Sequence, residues 1–193
     1  MSKLSHSDLY SLEEYARIRP EFRARVIEHK KHRRVAIGDH AALYFEDALT
    51  MQYQIQEMLR IERIFEHDGI QAELDVYNPL IPDGSNWKAT FMLEYEDVEE
   101  RRAALAQLID VEKGLWLQVA GCAKIRPIAN EDLERTTEEK TAAIHFLRFE
   151  LTPAMVDAVK QGAQISAGID HPSYQEEVVI PEDVRESLAA DLQ

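Results

Sequence analysis

The alternation of apolar and polar positions is clearest at residues 89–96. There Ala89, Phe91, Leu93 and Tyr95 share one face, opposite Thr90, Met92, Glu94 and Glu96, which predicts a half-buried strand. Short apolar runs at 35–38 and 42–45 flank Gly38-Asp39 and predict a hairpin. Further strands are expected at 115–119, 122–128, 144–151, 165–169 and 177–180. Helical spacing covers about 50–66, is interrupted at Asp68-Gly69 and resumes to about Tyr77. Asp97 with Glu100 opens a helix to about Leu108, Thr152-Pro153 opens another that ends at Gly162, and Pro181 opens a C-terminal one. Ser11 with Glu14 caps a short N-terminal helix, which Pro20 is predicted to end; a second helix then runs to about Arg33. The sum is an α+β fold, N-terminal helices packed on a mostly antiparallel sheet with interspersed helices. The connection from 151 to 165 is long enough for one parallel pair. With no repeat, linker or low-complexity tract, the chain reads as one domain over 1–193.

Within the long helix, Met51, Ile55, Met58, Leu59, Ile61 and Phe65 form a broad apolar arc, and Glu62 falls near its middle. A carboxylate on a core face must be paired, protonated or ligating, because an isolated buried charge costs several kcal/mol. Gln52, Gln56, Arg60 and Arg63 line the opposite side. That stripe is either a solvated face or, through Arg60 and Arg63, a clamp for a carboxylate or phosphate. His145 shares an otherwise apolar strand face with Ala143, Leu147, Phe149 and Leu151, and His171 continues the phase of Ile165, Ala167 and Ile169. Each is either a satisfied core histidine or a ligand. Glu62, His145 and His171 together make a two-histidine, one-carboxylate set able to hold a single mononuclear metal if the helix packs on the sheet.

Charge changes the picture in one segment. The 193-residue chain carries a net charge of −14, with 45% hydrophobic and 30% charged residues, an ordinary globular composition. Residues 17–34 nevertheless hold eight basic residues against Glu21 and Glu28, net +6, leaving −20 for the remainder. The segment reads as a solvated helix face or as a docking surface through Arg23, Arg25, Lys30 and Lys31 for an acidic partner. The overall acidity disfavours nucleic acid. His29 and His32, at helical spacing, sit among cations that oppose metal binding.

One cysteine, Cys122, excludes a disulfide and an Fe–S cluster within one chain, and suits a reducing compartment. The first residues lack a basic segment followed by an apolar core, and no apolar run approaches the roughly 20 residues of a membrane span. A soluble cytoplasmic protein is expected. Dinucleotide and phosphate-loop fingerprints, His-Glu-x-x-His, Glu-x-x-His and Gly-x-Ser-x-Gly are all absent.

Residues 11–23, from Ser11-Leu-Glu-Glu-Tyr to Pro20-Glu-Phe-Arg, Tyr53-Gln-Ile-Gln-Glu-Met-Leu-Arg-Ile-Glu-Arg63, His145-Phe-Leu-Arg-Phe-Glu-Leu-Thr-Pro153 and Asp170-His-Pro-Ser-Tyr174 together resemble an uncharacterised bacterial domain-of-unknown-function family, over nearly the whole chain. The resemblance supplies no activity, catalytic residue or cofactor. It implies an association with rubrerythrin-like proteins and Fe–S oxidoreductases. Two readings follow: a non-catalytic accessory or partner in a redox or peroxide-stress system, or a metal- or small-molecule-binding enzyme built on the Glu/His/His set.

Overall fold

The computed structural model describes residues 3–132, 135–137 and 139–193. Among them are seven α-helices and two wholly antiparallel sheets. Strands β1 (Arg34–Ile37) and β2 (Ala41–Glu46) form the expected hairpin, with Val35 opposite Leu43. β3 (Asn86–Leu93) pairs with β2 and with β6 (Ile144–Glu150), and β5 (Ile128–Ala129) adds to the outer edge of β6. The second sheet has β7 (Ile165–His171) between β4 (Leu115–Val119) and β8 (Tyr174–Val179). No parallel pair forms among the described residues, because β6 and β7 lie in different sheets and α6 (Pro153–Lys160) carries the chain between them.

One apolar cluster joins the two sheets. It takes Leu43, Phe45, Trp87, Phe91 and Phe149 from the first, Leu117, Ile165 and Ile169 from the second, and Val156 and Leu188 from α6 and α7 (Glu182–Ala189). The strict alternation of β3 is what buries Trp87, Ala89, Phe91 and Leu93 on one face, while Lys88, Thr90 and Met92 face the other way, half-buried. The expected strand at 122–128 does not form. Ile125 bridges Leu117 through paired backbone bonds, and only residues 128–129 join a sheet.

The N-terminal helices differ from expectation at Pro20. α1 runs unbroken over Leu12–Lys31, with Pro20 inside it. Tertiary packing outweighs the lost backbone bond: Tyr15, Phe22 and Val26 are buried beside Leu49 and Tyr53, while Pro20 itself stands on the exposed face. α2 (Ala48–Glu62) packs on α1 and on α3 (His67–Tyr77). Between α1 and α2 the Glu57 carboxylate accepts from Tyr15 Oη at 2.7 Å, Arg19 Nε at 2.7 Å and Arg60 Nη2 at 3.0 Å. The arginine and tyrosine bonds outweigh burial and hold its pKa at about 2.

Two buried arrangements anchor the rest. Arg33, which the basic segment presents as a surface charge, is 2% exposed. Its guanidinium donates to the Phe45 and Glu46 carbonyls at 3.0 and 3.1 Å, to Ser187 Oγ at 3.1 Å and to Asp191 Oδ2 at 2.5 Å. Burial works to raise the Asp47 carboxyl, but Arg33, the Thr50 amide and His29 outweigh it and hold it below the ordinary range. On the outer face of the second sheet, Trp116 lies over Gly168, its register partner in β7. Its indole donates to Asp170 Oδ1 at 3.0 Å, and Lys124 caps the ring at 3.5 Å.

Candidate functional site

The structure does not bring Glu62, His145 and His171 together. Glu62 is the last residue of α2 and is exposed, so the expected carboxylate on a core face is corrected. The buried face of α2 is Met51, Ile55, Gln56 and Leu59, turned toward α1 and α3, whereas Ile61 and Phe65 are exposed. Gln52 and Gln56 are not a solvated stripe. Gln56 accepts from the Tyr10 amide at 2.6 Å, and Gln52 donates to the Asp8 carbonyl at 2.6 Å, tying the N-terminal segment to the helix. Arg60 is engaged with Glu57, and Arg63 is the left-handed residue that ends α2 at φ 57°. Among the described residues no three His, Cys, Asp or Glu side chains are grouped so as to hold a metal ion.

Both histidines instead reach the turn that leads into β4. His171 donates from Nε2 to the Ile109 carbonyl at 3.0 Å and accepts at Nδ1 from the Ser173 amide at 3.2 Å, which pins the β7–β8 turn. His145 is 0% exposed on the core face of β6, opposite Phe91. Its Nδ1 lies 3.0 Å from Asn130 Nδ2, an obligate donor, so Nδ1 accepts. Nε2 then carries the proton and donates to the Ala142 carbonyl and to Thr141 Oγ1, each at 3.0 Å. This bonding makes the imidazole neutral, and burial pushes its pKa below the ordinary value against the pull of Glu112.

A polar chain continues from that imidazole. Thr141 Oγ1 lies 3.1 Å from Thr136 Oγ1, and Thr136 donates to Glu112 Oε1 at 3.1 Å. With His145 donating into one end and Glu112 accepting at the other, each hydroxyl proton points toward the carboxylate. Glu112 is 3% exposed, in the single turn α5 (Val111–Gly114) just before β4. Its second oxygen, Oε2, is 4.0 Å from His145 Nδ1 and has no hydrogen-bond partner among the described residues; nor has Asn130 Oδ1. Buried acceptors left unpaired cost about 1–3 kcal/mol each, so both need an account.

Glu112 and Asn130 line the floor of an open cleft of about 790 Å3, with Thr136, Lys113, Asp132 and Arg135 on its walls. Arg135 bonds Asp132 and stacks on Phe146 at 4.7 Å, and Lys113 pairs with Asp110 at 2.7 Å. The backbone here is unusual as well. Of the three non-glycine residues with positive φ among the described residues, Asp110 at 65° and Asn130 at 55° both border this cleft. Such conformations gather where surrounding structure over-determines them, often at binding sites. His145 was visible in the sequence as a polar residue on an apolar face; Glu112, in a single helical turn, and Asn130, Thr136 and Thr141, outside any strand or helix, carried no such signal.

The fold and cleft define a two-sheet α+β protein with a buried histidine–threonine–carboxylate chain opening into a polar depression. The DUF3501 profile, described as a protein of unknown function, matches residues 3–192, and the chain belongs to that family. It is similar to a novel protein of unknown function from Burkholderia pseudomallei K96243, solved by crystallography at 1.90 Å, with 54% identity over 100% of both chains and a TM-score of 0.94. No curated protein matched the sequence. Neither match carries a link to rubrerythrin-like or Fe–S proteins.

Proposed function

We propose that this protein binds a small polar molecule in the Glu112–Asn130 cleft, through a hydrogen-bond-donating head such as an amine or amidine. The observation that carries this reading is the pair of unpartnered buried acceptors, Glu112 Oε2 and Asn130 Oδ1, on two residues that line one cleft. Two acceptors with no donor match a donor-rich head, and the carboxylate favours a cationic one. The Thr136–Thr141–His145 chain holds Glu112 through Oε1 and leaves Oε2 without a partner among the described residues. Titration of labelled protein with ethylammonium and with acetamidine, followed by NMR, is expected to shift the amides around Glu112 and Asn130. Glu112→Gln should weaken binding at least about tenfold, the scale of one hydrogen bond to a charged group. Equal affinity in the variant, or shifts confined to other surfaces, would reject the site.

A second reading, an accessory to a redox or peroxide-stress partner, is favoured by α1. Arg23, Arg25 and Lys30 enter no ion pair among the described residues, and the first two are exposed on a chain of net charge −14. Arg25 lies over Phe22 at 4.9 Å. Lys31 pairs with Glu28 at 2.6 Å, so it adds less. The redox assignment itself rests on the family resemblance. If it holds, affinity for a rubrerythrin-like partner from the same source falls with salt, and reversing Arg23, Arg25 and Lys30 to glutamate abolishes it without changing the melting temperature. Salt-independent association of the reversed protein would count against this reading.

A further inference from the structure

A second cavity meets the Glu112 cleft at Glu131 and Asp132. It occupies about 480 Å3 between the end of α3 with its following turn and the outer face of β3 and β6. Val76, Tyr77, Leu80 and Phe146 give it apolar walls, and Lys88 and Arg148 enter it from the sheet. These two cations are directly opposite each other in the register of β3 and β6. Like charges placed so are unfavourable unless each finds a counterion. Arg148 has found two: Glu131 accepts from its Nε at 2.8 Å and Nη2 at 2.6 Å, and Glu150 accepts from Nη1. The Lys88 ammonium enters no hydrogen bond or contact ion pair among the described residues, although the side chain is half-buried and Glu131, Glu150 and Asp83 act on it from farther off.

We infer that Lys88 is a reactive lysine whose free amine condenses with a small aldehyde or ketone carrying an apolar body, held against Val76, Leu80 and Phe146. A lysine half-buried against apolar side chains and without a contact ion pair among the described residues gives up its proton more readily, and a neutral amine is the nucleophile for a carbonyl. The Lys88 nitrogen adds to the carbonyl carbon, and the carbonyl π pair moves to oxygen, which takes the proton that nitrogen loses. The carbinolamine then expels water, taking the second nitrogen proton, and a carbon–nitrogen double bond remains. No oxidant or reductant enters.

The surroundings support a lowered proton affinity. Burial and then Arg148 depress the Lys88 pKa, against the opposing charges of Glu131, Glu150 and Asp83. The remaining titratable groups at this cavity are Glu46, opposite Lys88 in β2, Asp132 from the loop after β5, and Asp75 and Tyr77 from α3. Each pKa unit of depression is about a tenfold gain in free amine near neutral pH.

The test is reductive trapping of the full-length protein with butanal and sodium cyanoborohydride, mapped by peptide mass spectrometry. The expected result is modification at Lys88 about tenfold faster than at any other lysine near neutral pH. Its rate should also level off at lower pH than the rates elsewhere. Lys88→Met should lose that fast event and leave the remaining pattern unchanged. Labelling spread evenly over exposed lysines, or Lys88 among the slowest, would overturn the proposal. That outcome is read in the wild-type protein and does not depend on a variant folding.

Discussion

Replacing Arg33 with methionine is expected to cost about 3–5 kcal/mol of folding stability, the scale for breaking a buried charge network by removing one partner. The methionine fills much of the same space, so the loss is electrostatic. Arg33 is the donor for two backbone carbonyls, Ser187 and Asp191, and lies 3.4 Å from Asp47. Without it Asp191, 2% exposed, is left as a buried carboxylate with no ion-pair partner among the described residues. Adding Asp191→Leu should restore about half of the loss, because two matched apolar groups avoid the unpaired charge.

The loss should also depend on pH. Burial already raises the Asp191 pKa, with Arg33 pulling against it, so the methionine variant lets it rise further. A carboxyl whose folded pKa lies above its unfolded value destabilises most when both states would be ionised. Its penalty disappears below the unfolded pKa and grows as pH rises through the folded one. The stability gap between variant and wild type, read by urea denaturation, should therefore narrow from about pH 7 to about pH 4. A gap that is constant or widens toward acid would mean that Asp191 is not the group left stranded.

Gly168→Ala should cost about 3 kcal/mol or more through overpacking. A Cβ there would lie 2.3 Å from Trp116 Cζ2, 2.5 Å from Cε2 and 2.8 Å from the Glu176 carbonyl oxygen. Neither neighbour yields easily. Trp116 is held at its nitrogen by Asp170 and beneath Lys124, and Glu176 O belongs to the backbone of the adjacent strand β8. For a chain of this size the melting temperature should fall by about 6–12 °C. Trp116→Phe in the same background should return part of that loss, since the smaller ring leaves room for the methyl group. Additive losses would show that the ring is not the obstacle.

Residues that repeat along one element made most of the fold legible in the sequence. The alternation of Ala89, Phe91 and Leu93, the Gly38-Asp39 turn and the Thr152-Pro153 cap each act within a few residues of themselves. The hairpin and helix start appear where expected, and the strand appears three residues earlier, over Asn86–Leu93. Pro20 failed as a boundary because a helix break is a local preference of about 3 kcal/mol. Burial of Tyr15, Phe22 and Val26 on both sides of it outweighs that. Glu62 failed for a related reason. Its helix presents a narrower face than the apolar arc suggests, so the phase that looked central is solvent.

What the sequence determined by itself was therefore the α+β class, the main strands and helices, and the oddity of His145 on an apolar face. Tertiary structure alone decided which cations are buried, which glycine lies against an indole ring and which acceptors go unpaired among the described residues. Arg33 meets Asp191 at 2.5 Å across most of the chain. Glu112 reaches His145 through Thr136 and Thr141, which lie in a connection with no periodic pattern. Trp116 meets Gly168 only because β4 and β7 pair in that register. Local propensity is written in neighbouring residues, whereas the partner of a buried polar group is set by where distant segments cross. Nothing in a periodic pattern records that crossing.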